Sequence, residues 1–178
     1  PSAVSSTALN TGTAAPNLDD AIREGLSPKE ARRLALRTAE AIAAMHARGE
    51  VHGDLTPRSI LLAHSGGVSI VAPGAPQPAL YRMRYASPEA ARREELGHGA
   101  DVFALSLIVR ELIEGIPARR GAGDELAMEA IDGRVSVPHG LEGELVSLAA
   151  LAASPHPENR PKASEFAAAL KGASQFKG

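Results

Sequence analysis

The segment ADVFALSLIVRELIEG, residues 100 to 115, restricts this chain more than any other. At helical spacing Val102, Leu105, Leu107, Ile108, Val109, Leu112 and Ile113 spread around most of the circumference instead of along one stripe. A helix apolar nearly all round belongs at the centre of a domain. The rest of the sequence must therefore wrap it. The 178 residues suffice for one globular domain with a sizeable core and are too few for two comfortable ones. Aromatic residues make up 3% and Trp is absent, so the surrounding shell has to be built from Ala, Leu, Val and Ile, a composition that favours helices.

The wrapping elements carry their own signals. NLDDAIREG predicts a short helix capped by Asn17, acidic in its first turn and stopped at Gly25. Ser27-Pro28-Lys29-Glu30 combines an N-cap serine, a proline at the first helical position and a glutamate three residues after the cap. From it a long helix runs to about Arg48, with Leu34, Thr38, Ala41, Ile42 and Met45 on one buried stripe. Two β-prone runs flank HSGG and predict a hairpin near 60–71. APGAPQPALYRMRY reads as a Pro- and Gly-rich loop, and Ser87-Pro88-Glu89 as another helix start, running to about Arg93. The central helix at 100–115 and weaker helices near 123–131, 141–153 and 163–171 complete a mainly α domain.

A net charge of -2 argues against bulk attraction to nucleic acid or anionic membrane. Without cysteine the chain has no disulfide, no Cys-ligated zinc and no thiol catalysis. The six histidines form no metal set in the sequence, and no run is apolar and long enough to span a bilayer. The expected setting is cytoplasmic.

Between the long helix and the hairpin lies VHGDLTPRSILL, residues 51 to 62. MHARGEVHGDLTPRSILL, VSIVAPG, RYASPEAAR, ADVFALSLIVRELIEGIP and SPHPENRPKASEF follow one another in an order that resembles the C-terminal lobe of a bacterial, eukaryotic-type (Hanks-type) Ser/Thr protein kinase, over roughly residues 17 to 172. The family's catalytic loop is H-R-D-L-x-x-x-N. The resemblance implies a kinase-like C-lobe with a small β hairpin and no N-lobe within this sequence. Residues 1–16 read as a flexible tail or linker, 17–172 as the lobe and 173–178 as a C-terminal tail.

The resemblance also assigns roles. His52 and Asp54 fall on the catalytic loop's histidine and aspartate, while Gly53 replaces its arginine, Thr56 its lysine and Ser59 its metal-binding asparagine. The family's D-F-G triplet, whose aspartate holds magnesium, is Ala72-Pro73-Gly74. An alanine methyl cannot supply the carboxylate oxygen that Mg²⁺ prefers, and Pro73 fixes the backbone. No metal and no cofactor are expected. The scaffold positions survive: Asp101 is placed to receive backbone N–H groups of the His52–Asp54 turn, and Glu89 and Arg160 match a buried ion pair. YRMRY occupies the stretch that cradles a peptide substrate, with Arg82 where threonine is usual. Arg82, Arg84, Arg92 and Arg93 are read as a solvated basic face or, alternatively, as a phosphate- or acid-binding patch.

The leading functional expectation is a pseudokinase acting as a protein-interaction or regulatory scaffold. Its partner is another protein, engaged in one version through the face an N-lobe would cover, or a second copy of the chain. Nucleic-acid binding and membrane insertion are not expected. One alternative is a divergent phosphotransferase using Asp54 with an N-lobe supplied elsewhere. The other is a purely structural remnant in a larger scaffold.

Overall fold

The computed structural model describes residues 15–63, 65–136, 139, 141 and 143–175. The expected tails fall mostly on residues 1–14 and 176–178, which lie outside the described residues.

Helix α1 (Leu18–Glu24) starts at a reciprocal cap in which Asp20 N–H donates to Asn17 Oδ1 (3.1 Å) and Asn17 N–H donates to Asp20 Oδ2 (3.3 Å). Its neighbour Asp19 turns inward, where it pairs with Arg58 (3.0 Å) and thereby seats α1 against the 52–59 loop. Helix α2 (Pro28–Ala47) is capped by Ser27 Oγ, which accepts from Glu30 N–H at 3.2 Å. Its buried face is Ala31, Leu34, Ala35, Thr38, Ala39, Ile42 and Met45, with Ala41 at the edge.

A 3₁₀ turn (Pro57–Ser59) leads into β1 (Ile60–Leu62), which pairs antiparallel with β2 (Val68–Ile70) in the register Ile60–Ile70, Leu61–Ser69, Leu62–Val68. The segment before α1 lies along the hairpin's free edge: Leu62 N–H donates to Pro16 O (2.8 Å) and Asn17 bridges Leu61. The stretch expected to be a plain loop contains a one-turn helix, α3 (Ala79–Met83). Its prolines precede the helix, where a missing N–H costs nothing, and ALYRM itself contains no breaker. Helix α4 (Pro88–Ala91) is capped by Ser87.

Helix α5 (His98–Glu114) is the centre, with every side chain from Ala100 to Leu112 buried. Each fully buried Leu, Ile or Phe on it contributes about 1.5–3 kcal/mol by transfer from water. The helix also carries Asp101, Ser106, Arg110 and Glu111 into the interior, so each of these needs an internal partner. Helices α6 (Gly123–Asp132), α7 (Glu144–Ala152) and α8 (Ala163–Gln175) close the domain, and α2 packs against both α5 and α8. Residues 173–175 belong to α8.

Candidate functional site

The 52–55 loop hangs from α5. Asp101 has no exposed surface, and its carboxylate accepts from Gly53 N–H (2.7 Å, Oδ1), His52 N–H (2.8 Å, Oδ2) and His46 Nε2 (2.9 Å, Oδ2). The His46 ring stacks on His98 at 4.2 Å, joining the end of α2 to the start of α5. Gly53 has φ +73°, and a Cβ there would lie 2.9 Å from Leu96 Cδ1. Glycine satisfies both the left-handed backbone and the close approach.

His52 is a strut. Its Nε2 bonds Val71 O (2.7 Å) and its Nδ1 accepts from Asp54 N–H (3.1 Å), which places the ring proton on Nε2 and ties the loop to the end of β2. The Asp54 carboxylate is not free. Arg82 Nε donates to Asp54 Oδ1 at 2.7 Å. Ser59 Oγ is committed as well, accepting from Thr56 N–H (3.0 Å) and donating to Thr56 O (2.8 Å) in a buried turn. The Thr56 hydroxyl bonds the Gln77 side chain (2.8 Å). Ala72, Pro73 and Gly74 are exposed.

Arg82 is held in place through its own segment. Arg119 is 1% exposed, and its guanidinium donates to Met83 O (3.2 Å), Ala86 O (2.6 Å) and Arg134 O (3.1 Å). Burial pushes its pKa down to about 10. Tyr85 OH donates to Glu111 Oε2 on α5 (2.6 Å). Burial drives the Glu111 carboxyl above its ordinary value even against this hydrogen bond. The same segment ends at Glu89, which Arg160 grips with both terminal nitrogens while also donating to Gly99 O (2.9 Å) and Ser154 O (2.9 Å). Burial works to raise the Glu89 carboxyl, but Arg160 outweighs it and the net direction is down.

The four arginines of 82–93 do not act as one patch. Arg84 donates to Arg119 O (2.7 Å) and Arg92 to Ile131 O, whereas Arg82 and Arg93 line the cleft beside Asp54. Sequence reasoning missed the role of Arg119, the Tyr85–Glu111 bond and the Asp54–Arg82 pair. The arginine at a threonine position was the one available signal for the last.

The protein kinase domain family matches residues 7–169. The chain belongs to the protein kinase family. Among relatives, it is 29% identical over 176 residues to the serine/threonine-protein kinase PkaA of Streptomyces coelicolor, covering 88% of this chain and 32% of that protein. It is 28% identical over 170 residues to PkaB of the same organism (82% and 40%) and 31% identical over 101 residues to PrkC of Bacillus subtilis (51% and 16%). The chain thus spans well under half the length of these kinases. Its described helices and hairpin form the C-terminal lobe of the kinase fold. No described helix is long and apolar enough to cross a membrane.

A kinase lobe of this type implies Mg²⁺, and the side chains at the corresponding positions do not fit it. A hard cation takes carboxylate or carbonyl oxygens. Asp54 is paired with a guanidinium, the Ser59 hydroxyl is spent inside its turn, and Ala72 has no oxygen to offer. No group of three or more His, Asp or Glu side chains suited to a metal occurs among the described residues.

Proposed function

We propose that this lobe is a catalytically silent kinase-like module, a pseudokinase, that serves as a protein-interaction or regulatory scaffold. The observation that carries the reading is the Asp54–Arg82 ion pair at 2.7 Å. A general base must reach the proton it abstracts with a free lone pair. Here one of the two carboxylate oxygens is engaged by a cation from the same chain, which competes with a substrate hydroxyl for it. Phosphoryl transfer otherwise rests on positioning and charge neutralisation, and Ser59 and Ala72 supply neither metal contact.

What remains is architecture: Asp101, His52 and the Glu89–Arg160 pair still fix the shape of the lobe. A rigid surface without chemistry suits binding another protein or a second copy of this chain, in a cytoplasmic setting, with no role for nucleic acid. The test is thermal denaturation of the chain with ATP, in the presence and absence of Mg²⁺. The expected result is no Mg²⁺-dependent rise in Tm. A clear rise abolished by Asp54→Asn would replace this reading with that of a divergent phosphotransferase.

A further inference from the structure

Helices α7 and α8 pack against each other and leave an open groove of about 960 Å³ between them. On the α7 side it is lined by Leu148 and Leu151, and Leu151 is 49% exposed. On the α8 side it is lined by the small residues Ala168, Ala169, Gly172 and Ala173, which let another backbone come close. A Cβ added at Gly172 would meet nothing within 4 Å. Two carboxylates, Glu144 and Glu165, also line the groove, and among the described lining residues there is no lysine or arginine. Glu165 accepts from Lys162 N–H through Oε2 (2.7 Å), and the exposed Glu144 has no hydrogen bond or ion pair among the described residues.

We propose that the α7–α8 groove docks a basic amphipathic helix of a partner protein, with its apolar face on Leu148, Leu151 and the small residues of α8 and its lysines or arginines on Glu144 and Glu165. The proposal rests on the binding half of the reading above and names the chemistry of the partner. A helix laid in an apolar groove anchors through side chains at i, i+3 or i+4, and i+7. From Glu165 to Ala173 helix α8 rises about 12 Å, which accommodates three such anchors. Charge selects among occupants. A symmetric pair of copies would set Glu144 and Glu165 of one groove against the same carboxylates of the other, and like charges across an interface are costly. An anionic partner is repelled in the same way. Residues 1–14 of the chain contain no lysine or arginine, so they do not supply the complementary charge.

The test uses the full chain and three pools of labelled, lactam-bridged helical peptides, read by fluorescence anisotropy at low salt. Every peptide carries Leu, Ile, Met or Phe at i, i+4 and i+7, and the pools differ in having lysine, glutamine or glutamate beside these anchors. The lysine pool is expected to bind at least tenfold more tightly than the glutamate pool. Gly172→Leu places a side chain in the groove and removes a glycine from a helix interior, so it should keep or raise Tm while weakening the lysine pool at least tenfold. Glu144→Lys should narrow the gap between the lysine and glutamate pools, and Met128→Ser, exposed on α6, should leave it intact. Absence of binding by the lysine pool, or binding unchanged by Gly172→Leu, overturns the site. Equal affinity for the lysine and glutamate pools overturns the basic partner. A dimer in sedimentation that Gly172→Leu abolishes overturns the proposal in favour of a second copy. Failure here with no Mg²⁺–ATP effect on Tm sinks this inference alone. Mg²⁺-dependent stabilisation instead overturns catalytic silence and leaves the groove, which shares no lining residue with the cleft at Asp54, to the peptide result.

Discussion

Replacement of Asp101 should unfold the active-loop architecture from its root. The carboxylate is fully buried and serves three donors, the N–H groups of His52 and Gly53 and the Nε2 of His46. A hydrogen bond to a charged group contributes about 1.5–3 kcal/mol net, so a simple sum would reach about 4.5–9 kcal/mol. Two effects reduce it. Removing the charge returns its desolvation penalty, several kcal/mol for a buried ion, and water reaches the half-buried Gly53. Asp101→Ala is therefore expected to cost about 3–5 kcal/mol, the range seen when one side of a buried charged contact is deleted. In a domain of this size that lowers Tm by about 6–20 °C. Asp101→Asn keeps the volume but has a single acceptor oxygen. Whichever way its amide is turned, at least one backbone N–H faces another N–H, for about 1–3 kcal/mol. Urea denaturation measures both, and amide hydrogen exchange at His52 and Gly53 reports the local effect. Variants within about 0.5 kcal/mol of wild type, with those two amides still protected, would refute the reasoning.

Three further outcomes follow from buried charge and backbone. Glu89→Gln should cost about 3–5 kcal/mol, and Glu89→Leu with Arg160→Met should recover part of it, since the carbonyls of Gly99 and Ser154 still lose their donor. Because Glu89 titrates below its ordinary 4.5 in the fold, its stabilisation is present above that pH and is lost as pH falls beneath it, so the urea midpoint of wild type should drop there more steeply than that of Glu89→Gln. Glu111 has the opposite sign: its carboxyl is raised by burial, so its contribution is complete below 4.5 and fades as pH rises through the folded value. Glu111→Gln, which still accepts from Tyr85 OH, should match or exceed wild-type Tm at pH 7.5 and lose that advantage towards pH 4. Gly53→Ala should cost about 1–2 kcal/mol from its left-handed backbone, plus a steric part that Leu96→Ala relieves in the double variant.

Much of the lobe was legible because its signals are local. Ser27, Pro28 and Glu30 mark the start of α2 within four residues, and the all-round apolarity of 100–115 marks the centre without reference to anything else. The hairpin was legible for the same reason. Helix α3 was not, since five residues hold too little periodicity to stand out against the prolines before them. Arg119 was also illegible: nothing in IPARRG distinguishes the arginine that is buried against three carbonyls from the exposed Arg120 beside it. Which of two neighbouring cations turns inward is settled by tertiary packing, through the segments that surround it.

The Asp54–Arg82 pair shows how such a contact redirects a site. The two residues are 28 positions apart, and each alone reads as ordinary: an aspartate in a turn and an arginine on a basic stretch. Their meeting depends on α3, on Arg119 holding the Met83 and Ala86 carbonyls, and on Tyr85 reaching Glu111. Those supports are architectural, and they deliver a guanidinium to the one retained aspartate of the loop. As a half-exposed ion pair it adds little to stability, about 0–1 kcal/mol. Its consequence is chemical instead: it places a cation on one oxygen of the aspartate that the loop retains. A loop built on Asp101 to hold an aspartate still in space keeps the rigidity that recognition and catalysis both need.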